Sequence, residues 1–307
     1  MNYLNERSDR WQGVAAVLLS AVSFAFSSIL YKIAYKSGLP PAQILALHTW
    51  IGAVILLGYV AFFRRHILRV NWRVLGVMAL VGLVGKLGTN ILVAYALLYL
   101  PASLAILLLY LYTVFVVAAG ILFLHKKAQT KELLALALVV SGAFLASGIV
   151  SGVETVSLLG VLLALGSALC YTVYNILGEV SLKSISPLTV MSFTQWFASL
   201  GIFGYLGKEV TVIPWGNIQM WVLGLALAFA SSLLPFYLVL FGIKRIGSGQ
   251  AAILSTIELP MTYMLSAILL GELPARNQTI GGILVLAGVI LLNWWQAWSA
   301  SGNRIKQ

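Results

Sequence analysis

The chain has 307 residues, of which 61% are hydrophobic and 9% are charged, and its formal net charge at pH 7 is +11. Soluble domains carry about 25% charged residues. This composition therefore excludes an ordinary soluble protein and predicts a chain that lies in a lipid bilayer. The basic residues stand in short segments between apolar runs, where insertion topology places them, so we expect the bilayer and not a nucleic acid as the partner.

Apolar runs bounded by charge clusters, Pro and Gly predict the helices of the chain. The first run follows the mixed charges of MNYLNERSDRW and lacks a small-residue cleavage site, so it is expected to remain as an uncleaved span. At about 20 residues per span, the length allows ten spans and little else. The predicted fold class is therefore all-α, a polytopic membrane protein. In chain order the predicted spans are 12–35, 41–63, 73–99, 102–124, 131–149, 157–182, 187–207, 217–243, 249–271 and 276–298.

The lysines and arginines outside these runs predict the orientation. With ten spans both termini lie on one side, and the basic residues divide fourteen to three in favour of that side. Cytoplasmic loops are rich in Lys and Arg, so we predict a multi-pass protein of the inner (plasma) membrane with both termini in the cytoplasm. The larger group is Arg7, Arg10, Arg64, Arg65, Arg69, Arg73, Lys126, Lys127, Lys131, Lys183, Lys244, Arg245, Arg304 and Lys306, and the smaller is Lys36, Lys208 and Arg276.

The chain also repeats itself at an offset of 146 to 147 residues. GVAAVLLSAVSFAFSSILYKIAYKSGLPP from Gly13 aligns without a gap on GVLLALGSALCYTVYNILGEVSLKSISPL from Gly160. Further on, LALALVVSGAFL aligns on IGGILVLAGVIL, with Gly142 on Gly288. Such self-similarity predicts that one helical unit occurs twice.

Two halves of five helices follow from the repeat, residues 1–150 and 151–307. Because five is an odd number, the second half enters the membrane from the opposite face, so the halves are inverted. Inverted halves around a site near the midplane are typical of secondary transporters that work by alternating access. A facilitative, channel-like pore for small metabolites can be built in the same way and remains the alternative.

The closing segment carries a family resemblance. GSGQAAILSTIELPMTYMLSAILLGELPARNQTIGGILVLAGVILL, with Glu258, Pro260 and Glu272, resembles the end of EamA-type proteins of the drug/metabolite transporter superfamily. The chain is most similar to the exporters of aromatic amino acids of the YddG type. The resemblance implies export of small organic solutes, above all aromatic and other neutral amino acids, and extends to organic cations. The first half departs from the pattern, with YLYTVF at 110–115 in the corresponding place.

Polar and aromatic residues line one face of the first span and the equivalent face of the sixth. Hydroxyls and amides lack partners in hydrocarbon, so these faces should turn to protein or to a water-filled cavity, and close helix packing is the alternative reading. The face of the first span comprises Ser20, Ser23, Phe24, Ser27, Ser28 and Tyr31. Tyrosines of the third and fourth spans could form walls against a ring-bearing substrate. Together with residues of the sixth span, the candidate substrate contacts are Tyr95, Tyr99, Tyr110, Tyr171, Tyr174 and Asn175.

Charges within the spans indicate function more directly. Lys86 lies about 18 Å, and Glu258 about 14 Å, from the cytoplasmic end of its span at 1.5 Å per residue. Both therefore lie near the middle of a hydrocarbon core about 30 Å thick. We predict that they face the central cavity and interact directly, through water or through substrate. With Asn90 and Ser255 they would hold the charged end of an amino acid, whereas the alternative for Glu258 is a static hydrogen bond to a neighbouring helix.

Pro260 predicts a bend in the ninth span. It has no amide hydrogen for the carbonyl of Thr256, so the helix should kink beside Glu258 and leave polar backbone free. A break of this kind is tolerated in a membrane only where protein or water covers it. We predict that the bend serves gating.

The sequence lacks the residues that several other activities require. Cys170 is the only cysteine and Asp9 the only aspartate, so neither a disulfide, a metal site nor an aspartate pair is expected. The chain has no phosphate-binding loop and no paired acids for acid/base chemistry. We expect a transporter and not an enzyme, working as a monomer without cofactor or metal.

Overall fold

The computed structural model describes residues 2–68, 70–124, 130–146, 157–206, 216–246, 251 and 254–304. Within these ranges the chain is helical without strands, and ten helical spans follow one another, which confirms the predicted fold class. The spans are α1 (Asn2–Lys36), α2 (Pro41–Phe63), α3 (Trp72–Tyr99), α4 (Ala102–Leu109 and Tyr112–Leu124), α5 (Thr130–Ala146), α6 (Leu158–Leu182), α7 (Pro187–Leu206), α8 (Ile218–Ile246), α9 (Glu258–Leu270) and α10 (Arg276–Arg304).

Five of the described helices are long and apolar enough to cross a membrane, namely α1 from Asp9 onward, α2, α3, α6 and α8. Shorter apolar helices cover Ala102–Val116, Glu258–Leu270 and Arg276–Leu291. Large apolar side chains cover the outer surface, and Phe62 on α2 is 80% exposed. Such a surface is costly in water but matches the hydrocarbon of a bilayer.

The helices begin at recognisable sequence signals. Pro41 is the first residue of α2, a position whose backbone amide has no partner within the helix, so the proline costs no hydrogen bond there. Asn71, Ser157 and Asn217 accept hydrogen bonds from the first backbone amides of α3, α6 and α8. After α9, Gly271 adopts φ +70°, a conformation that glycine adopts without steric cost, and this lets the chain turn toward α10.

The inverted relation of the halves is visible between α2 and α7. The indole of Trp50 donates to the carbonyl of Ser199 (3.2 Å), and the indole of Trp196 donates to the carbonyl of Ala53 (3.3 Å). The two donors are 146 residues apart in the chain, and so are the two acceptors. Equivalent residues thus exchange the same bond in opposite directions, as an inverted repeat requires. The predicted division after residue 150 lies outside the described residues and stays a prediction.

Glycines let α5 and α10 approach closely. A β-carbon on Gly142 would lie 2.6 Å from the carbonyl oxygen of Gly281, and one on Gly288 would lie 2.8 Å from that of Ala135. Gly142 and Gly288 are the pair that the repeat aligns. Small residues at such a crossing are typical of membrane helices, whose association depends on close packing.

The helical backbone is interrupted at equivalent positions in the two halves, within α4 and just before α9. The helix α4 breaks at residues 110–111, and a turn at residues 256–257 precedes α9, so the two breaks are 146 residues apart. The backbone hydrogen bonds across them correspond one to one. The corresponding bonds are Leu111 N to Leu108 O with Ile257 N to Leu254 O, Thr113 N to Tyr110 O with Leu259 N to Thr256 O, and Phe115 N to Leu111 O with Met261 N to Ile257 O.

Pro260 is therefore not the sole cause of the break. It lies in the first turn of α9, where a proline is tolerated, and its side chain is exposed. The carbonyl of Thr256 is not left free, contrary to the prediction, because the amide of Leu259 donates to it at 3.1 Å. The carbonyl that loses its helical partner is that of Ser255, and a side chain of α4 supplies the bond, as described below. A gating role for Pro260 stays a prediction.

Two further irregularities are also related by the repeat. Residues Val81–Gly88 of α3 and Ala228–Leu233 of α8 form π-helical segments that begin 147 residues apart. Segments of this kind widen a helix and frequently lie at functional sites. Lys86 lies within the first segment, and Ser232 within the second.

Candidate functional site

A cavity of about 70 Å³ lies between the two halves. Its walls come from α1, α3 and α4 of the first half and from α6, α8 and the start of α9 in the second. Aromatic and polar side chains dominate these walls, and Glu258 is the carboxylate among them. The aromatic wall residues are Phe24, Tyr31, Tyr110, Tyr112, Tyr171 and Phe236, and the polar ones are Ser27, Ser28, Thr89, Asn90, Ser231, Ser255 and Glu258.

Several predicted site residues lie in these walls, namely Asn90, Tyr110, Tyr171, Ser255 and Glu258. They come from four different parts of the sequence, and the packing of the helices brings them to one cavity. Their contact with a substrate stays a prediction.

Other predicted site residues lie elsewhere. Tyr99 is 46% exposed at the end of α3, and the hydroxyl of Tyr95 accepts a hydrogen bond from that of Tyr205 (3.3 Å) near the same end. Asn175 donates to the carbonyl of Tyr171 in its own helix (2.8 Å). Tyr174 is buried behind the cavity wall, with its ring stacked on that of Tyr171 at a centroid distance of 5.9 Å.

Glu258 is buried and contacts the interruption of α4. Its Oε2 lies 3.1 Å from the hydroxyl of Tyr110, and this hydroxyl also donates to the carbonyl of Ser255. Tyr110 therefore supplies the bond that α9 loses at its own break. A tyrosine hydroxyl has one hydrogen, so Tyr110 can donate to one of these two acceptors at a time.

Lys86 is 1% exposed and lies outside the cavity wall. Its Nζ is 3.4 Å from the carbonyl oxygen of Ser232 and 4.0 Å from the centroid of the Phe236 ring. The predicted direct contact with Glu258 is not made: among the residues that the structure describes, the ion pair found is between Lys32 and Glu272. A contact through water or substrate stays a prediction.

A chain of aromatic rings connects the two charges. Rings contact one another from Tyr110 through Tyr112, Tyr171 and Tyr174 to Phe236, with centroid distances between 4.8 and 5.9 Å. Tyr112 and Phe236 are not among the site residues that the sequence predicts. The repeat carried a signal for Tyr112, which occupies the position equivalent to Glu258. No sequence pattern singled out Phe236, because its position beside Lys86 depends on how α8 packs against α3.

The polar face of α1 divides into two parts. Ser20 donates to the carbonyl of Pro235 (2.8 Å) and Ser23 to that of Ala230 (3.0 Å), so these serines hold α1 against α8. For these two serines, the alternative of close helix packing applies. The remaining residues of this face, from Phe24 to Tyr31, line the cavity. Both readings of the face therefore apply, each to a different stretch.

Beyond the cavity, Glu272 ties three helices together near the end of α1. Its carboxylate pairs with Lys32 (3.2 Å) and accepts hydrogen bonds from the Ala102 amide (3.1 Å) and the Ser266 hydroxyl (2.9 Å). Partial burial raises the pKa of Glu272, but the Ala102 amide, the Lys32 ammonium and the Ser266 hydroxyl together outweigh this effect. The pKa of Glu272 therefore lies below its ordinary value.

Comparison with known proteins gives relatives that are transporters by name. "Uncharacterized transporter YcbK" of Bacillus subtilis is 26% identical over 285 residues, 88% of each chain. A "probable terminal-alkyne amino-acid exporter" of Streptantibioticus cattleyicolor is 23% identical over 221 residues, 72% of this chain and 74% of that protein. A "probable amino-acid metabolite efflux pump" of Salmonella typhimurium is 24% identical over 201 residues, 62% of this chain and 67% of that protein.

The fold and the family agree with these relatives. A crystal structure with 18% sequence identity matches with a TM-score of 0.63 over 93% of this chain and 96% of that one, a likeness in fold alone. The model of the EamA-like transporter family matches the chain twice, at residues 11–148 and 158–294. The chain therefore belongs to the EamA-like transporter family and is a multi-pass membrane transporter of small solutes.

Proposed function

We propose that the chain exports small organic solutes that carry an ammonium group, foremost aromatic and other neutral amino acids. The observation that supports this proposal best is Glu258, a buried carboxylate in the wall of a cavity rich in aromatic rings. A carboxylate binds an ammonium group through charge-assisted hydrogen bonds. Tyr112 and Tyr171, beside it, offer faces for a substrate ring by stacking or, for organic cations, by cation–π attraction.

The names of the relatives support the same substrate class. The S. cattleyicolor protein is named as an amino-acid exporter and the S. typhimurium protein as an amino-acid metabolite efflux pump. Substrate specificity of the YddG type is part of the proposal. Within the predicted set, Asn90 and Ser255 would bind polar substrate atoms, because both line the same cavity as Glu258.

The proposed mechanism is alternating access. In an inverted repeat the two halves can exchange conformations, which closes the cavity on one side and opens it on the other. The matched interruptions of α4 and α9 are suited to this exchange, because each half carries the same irregular backbone next to the cavity. The proposal places both termini in the cytoplasm of the inner membrane and treats the chain as a monomer without cofactor. Five of the basic residues that contribute to that orientation lie outside the described residues, namely Arg69, Lys126, Lys127, Lys208 and Lys306.

Transport in reconstituted vesicles tests the function. Purified protein is incorporated into vesicles preloaded with unlabelled phenylalanine, and uptake of labelled phenylalanine is followed. We expect saturable uptake that the internal solute stimulates, which is the behaviour of a carrier. Unsaturated flux without stimulation would instead establish the channel-like pore, and chemical conversion of the solute would establish an enzyme. A Glu258→Gln variant should lose most of the flux, whereas Lys244→Met, at the exposed end of α8, should retain it.

A further inference from the structure

Lys86 is a buried cation with few partners. An ammonium group has three hydrogens to donate, and in this structure Lys86 makes one hydrogen bond, to the carbonyl of Ser232 at 3.4 Å, and lies against the face of Phe236. No carboxylate of the described residues forms an ion pair with it. A charge within a membrane span is costly, and it is usually paired or directed to a functional path. The surroundings of Lys86 therefore suit an anion.

Two residues that pack beside Lys86 or its neighbours also carry hydroxyls without partners. The hydroxyls of Ser232 and Tyr174 are buried, and neither makes a hydrogen bond to any of the described residues. Ser232 is the residue whose carbonyl accepts from Lys86. Tyr174 packs against Gly85, since a β-carbon there would lie 3.0 Å from its backbone, and its ring contacts that of Phe236 at 5.1 Å. Buried hydroxyls are normally hydrogen-bonded, so these two donors and Lys86 share an unmet need for acceptors.

Phe236 separates this group from the cavity. Its ring belongs to the cavity wall, whereas Lys86, Ser232 and Tyr174 do not. The same ring lies over the Lys86 ammonium at 4.0 Å. A rotation of the Phe236 side chain to another staggered conformation would therefore uncover Lys86 toward the cavity. This rotation breaks the cation–π attraction, and a stronger bond between opposite charges would take its place.

We propose that Lys86, Ser232 and Tyr174 form a carboxylate-binding site behind Phe236, and that the ring turns aside to admit the carboxylate of the substrate. This inference rests on the proposed function in that an amino acid would place its ammonium group at Glu258 and its carboxylate at Lys86. Phe236 then covers Lys86 until a carboxylate displaces the ring, because a solute without a carboxylate gains nothing from displacing it.

Binding of three related probes tests the site directly. The probes are L-phenylalanine, phenethylamine, which lacks the carboxylate, and 3-phenylpropionate, which lacks the ammonium group. Their dissociation constants are measured by calorimetry on the purified full-length protein. In Lys86→Met we expect 3-phenylpropionate and phenylalanine to bind about tenfold or more weakly, because a charge-assisted bond is lost, and phenethylamine to bind as in the parent. Glu258→Gln should weaken phenethylamine and spare 3-phenylpropionate, and Lys244→Met should change none of the three.

Two outcomes would overturn the site. One is a Lys86→Met protein that binds 3-phenylpropionate as tightly as the parent, and the other is a parent protein that does not bind it at all. Retained phenethylamine binding shows that the variant is folded. If Lys86→Met loses phenethylamine binding as well, Tyr174→Phe and Ser232→Ala test the site instead. Each of them must weaken the binding of 3-phenylpropionate and leave that of phenethylamine unchanged. Phenylalanine flux tests the proposed function separately. If phenylalanine binding depends on Lys86 but no flux is measured, the transport proposal is wrong and the carboxylate-binding site still stands.

Removing the ring tests the role of Phe236. In Phe236→Leu the ammonium of Lys86 loses its cation–π partner, and the carboxylate no longer has to displace a ring. We expect 3-phenylpropionate to bind several-fold more tightly relative to phenethylamine than in the parent. An unchanged ratio of the two dissociation constants would exclude Phe236 as the cover of Lys86.

Discussion

The hydroxyl of Tyr110 lies 3.1 Å from a carboxylate oxygen of Glu258, and through this contact the interruption of α4 meets that of α9. The same hydroxyl bonds the carbonyl of Ser255. One side chain of the first half thus contacts both the free backbone and the buried carboxyl group of the second half.

Removal of this hydroxyl should destabilise the protein. In Tyr110→Phe the Ser255 carbonyl and the Glu258 carboxyl lose a partner while still buried, which costs about 1–3 kcal/mol. We expect a lower Tm in detergent and reduced phenylalanine flux. The control is Tyr59→Phe, whose ring is 43% exposed on α2 and should leave both values within error. A Tm equal to that of the parent would mean that the two acceptors find other partners.

Glu258→Gln separates charge from shape. The amide can donate to the Tyr110 oxygen while the tyrosine donates to Ser255, so the hydrogen bonds persist and the free energy of unfolding should change by no more than about 1 kcal/mol. We expect flux to fall at least about tenfold, because the charge that binds the ammonium is absent. If the folded variant transports like the parent at every pH from 5 to 8, Glu258 is structural.

The interactions of Glu272 predict that the folded protein becomes less stable in acid. Partial burial raises its pKa, but the Ala102 amide, Lys32 and Ser266 lower it further, so the folded state binds a proton less readily than the unfolded state. The stabilisation is therefore complete above the unfolded pKa, about 4.3, and disappears as the pH falls through the lower pKa of the folded state. We expect the parent Tm to fall in this range and the Tm of Glu272→Gln to depend less on pH. Equal pH dependence of the two proteins would count against a contribution from this ion pair.

The close contact of α5 and α10 can be tested with glycine substitutions. A β-carbon on Gly288 would lie 2.6 Å from a methyl group of Val139 and 2.8 Å from the carbonyl of Ala135, so Gly288→Ala must push the helices apart. Overpacking of this kind costs about 1–3 kcal/mol. Gly178 has no atom within 4 Å of such a position, and Gly178→Ala should instead stabilise α6 by up to about 1 kcal/mol. Similar Tm values for both variants would contradict this packing.

Cysteine labelling tests the orientation. After removal of Cys170, a single cysteine near Arg65 or Lys126 should react only with reagents that reach the cytoplasm. A cysteine near Lys208 should react from outside the cell. The reason is the excess of Lys and Arg on the side of both termini. Labelling of the Arg65 position from outside would overturn both the orientation and the count of spans.

The sequence by itself determined the spans and the repeat of this protein. The thickness of a bilayer sets the length of each apolar run, so the runs are visible without knowledge of their neighbours. The duplication left aligned residues such as Gly142 and Gly288, which the structure brings to the same helix crossing. Glu258 and Tyr110 were also found from sequence, because a carboxylate and a tyrosine are conspicuous in apolar segments.

Only the tertiary structure decided which of these residues meet. The break in α4 has no proline to announce it, and its match with the break before α9 is visible only in the backbone hydrogen bonds. The position of Phe236 between Lys86 and the cavity depends on the packing of α8 against α3. Contacts of this kind join residues about 150 positions apart in the sequence, and local pattern carries no information about them because it reports only the faces of single helices.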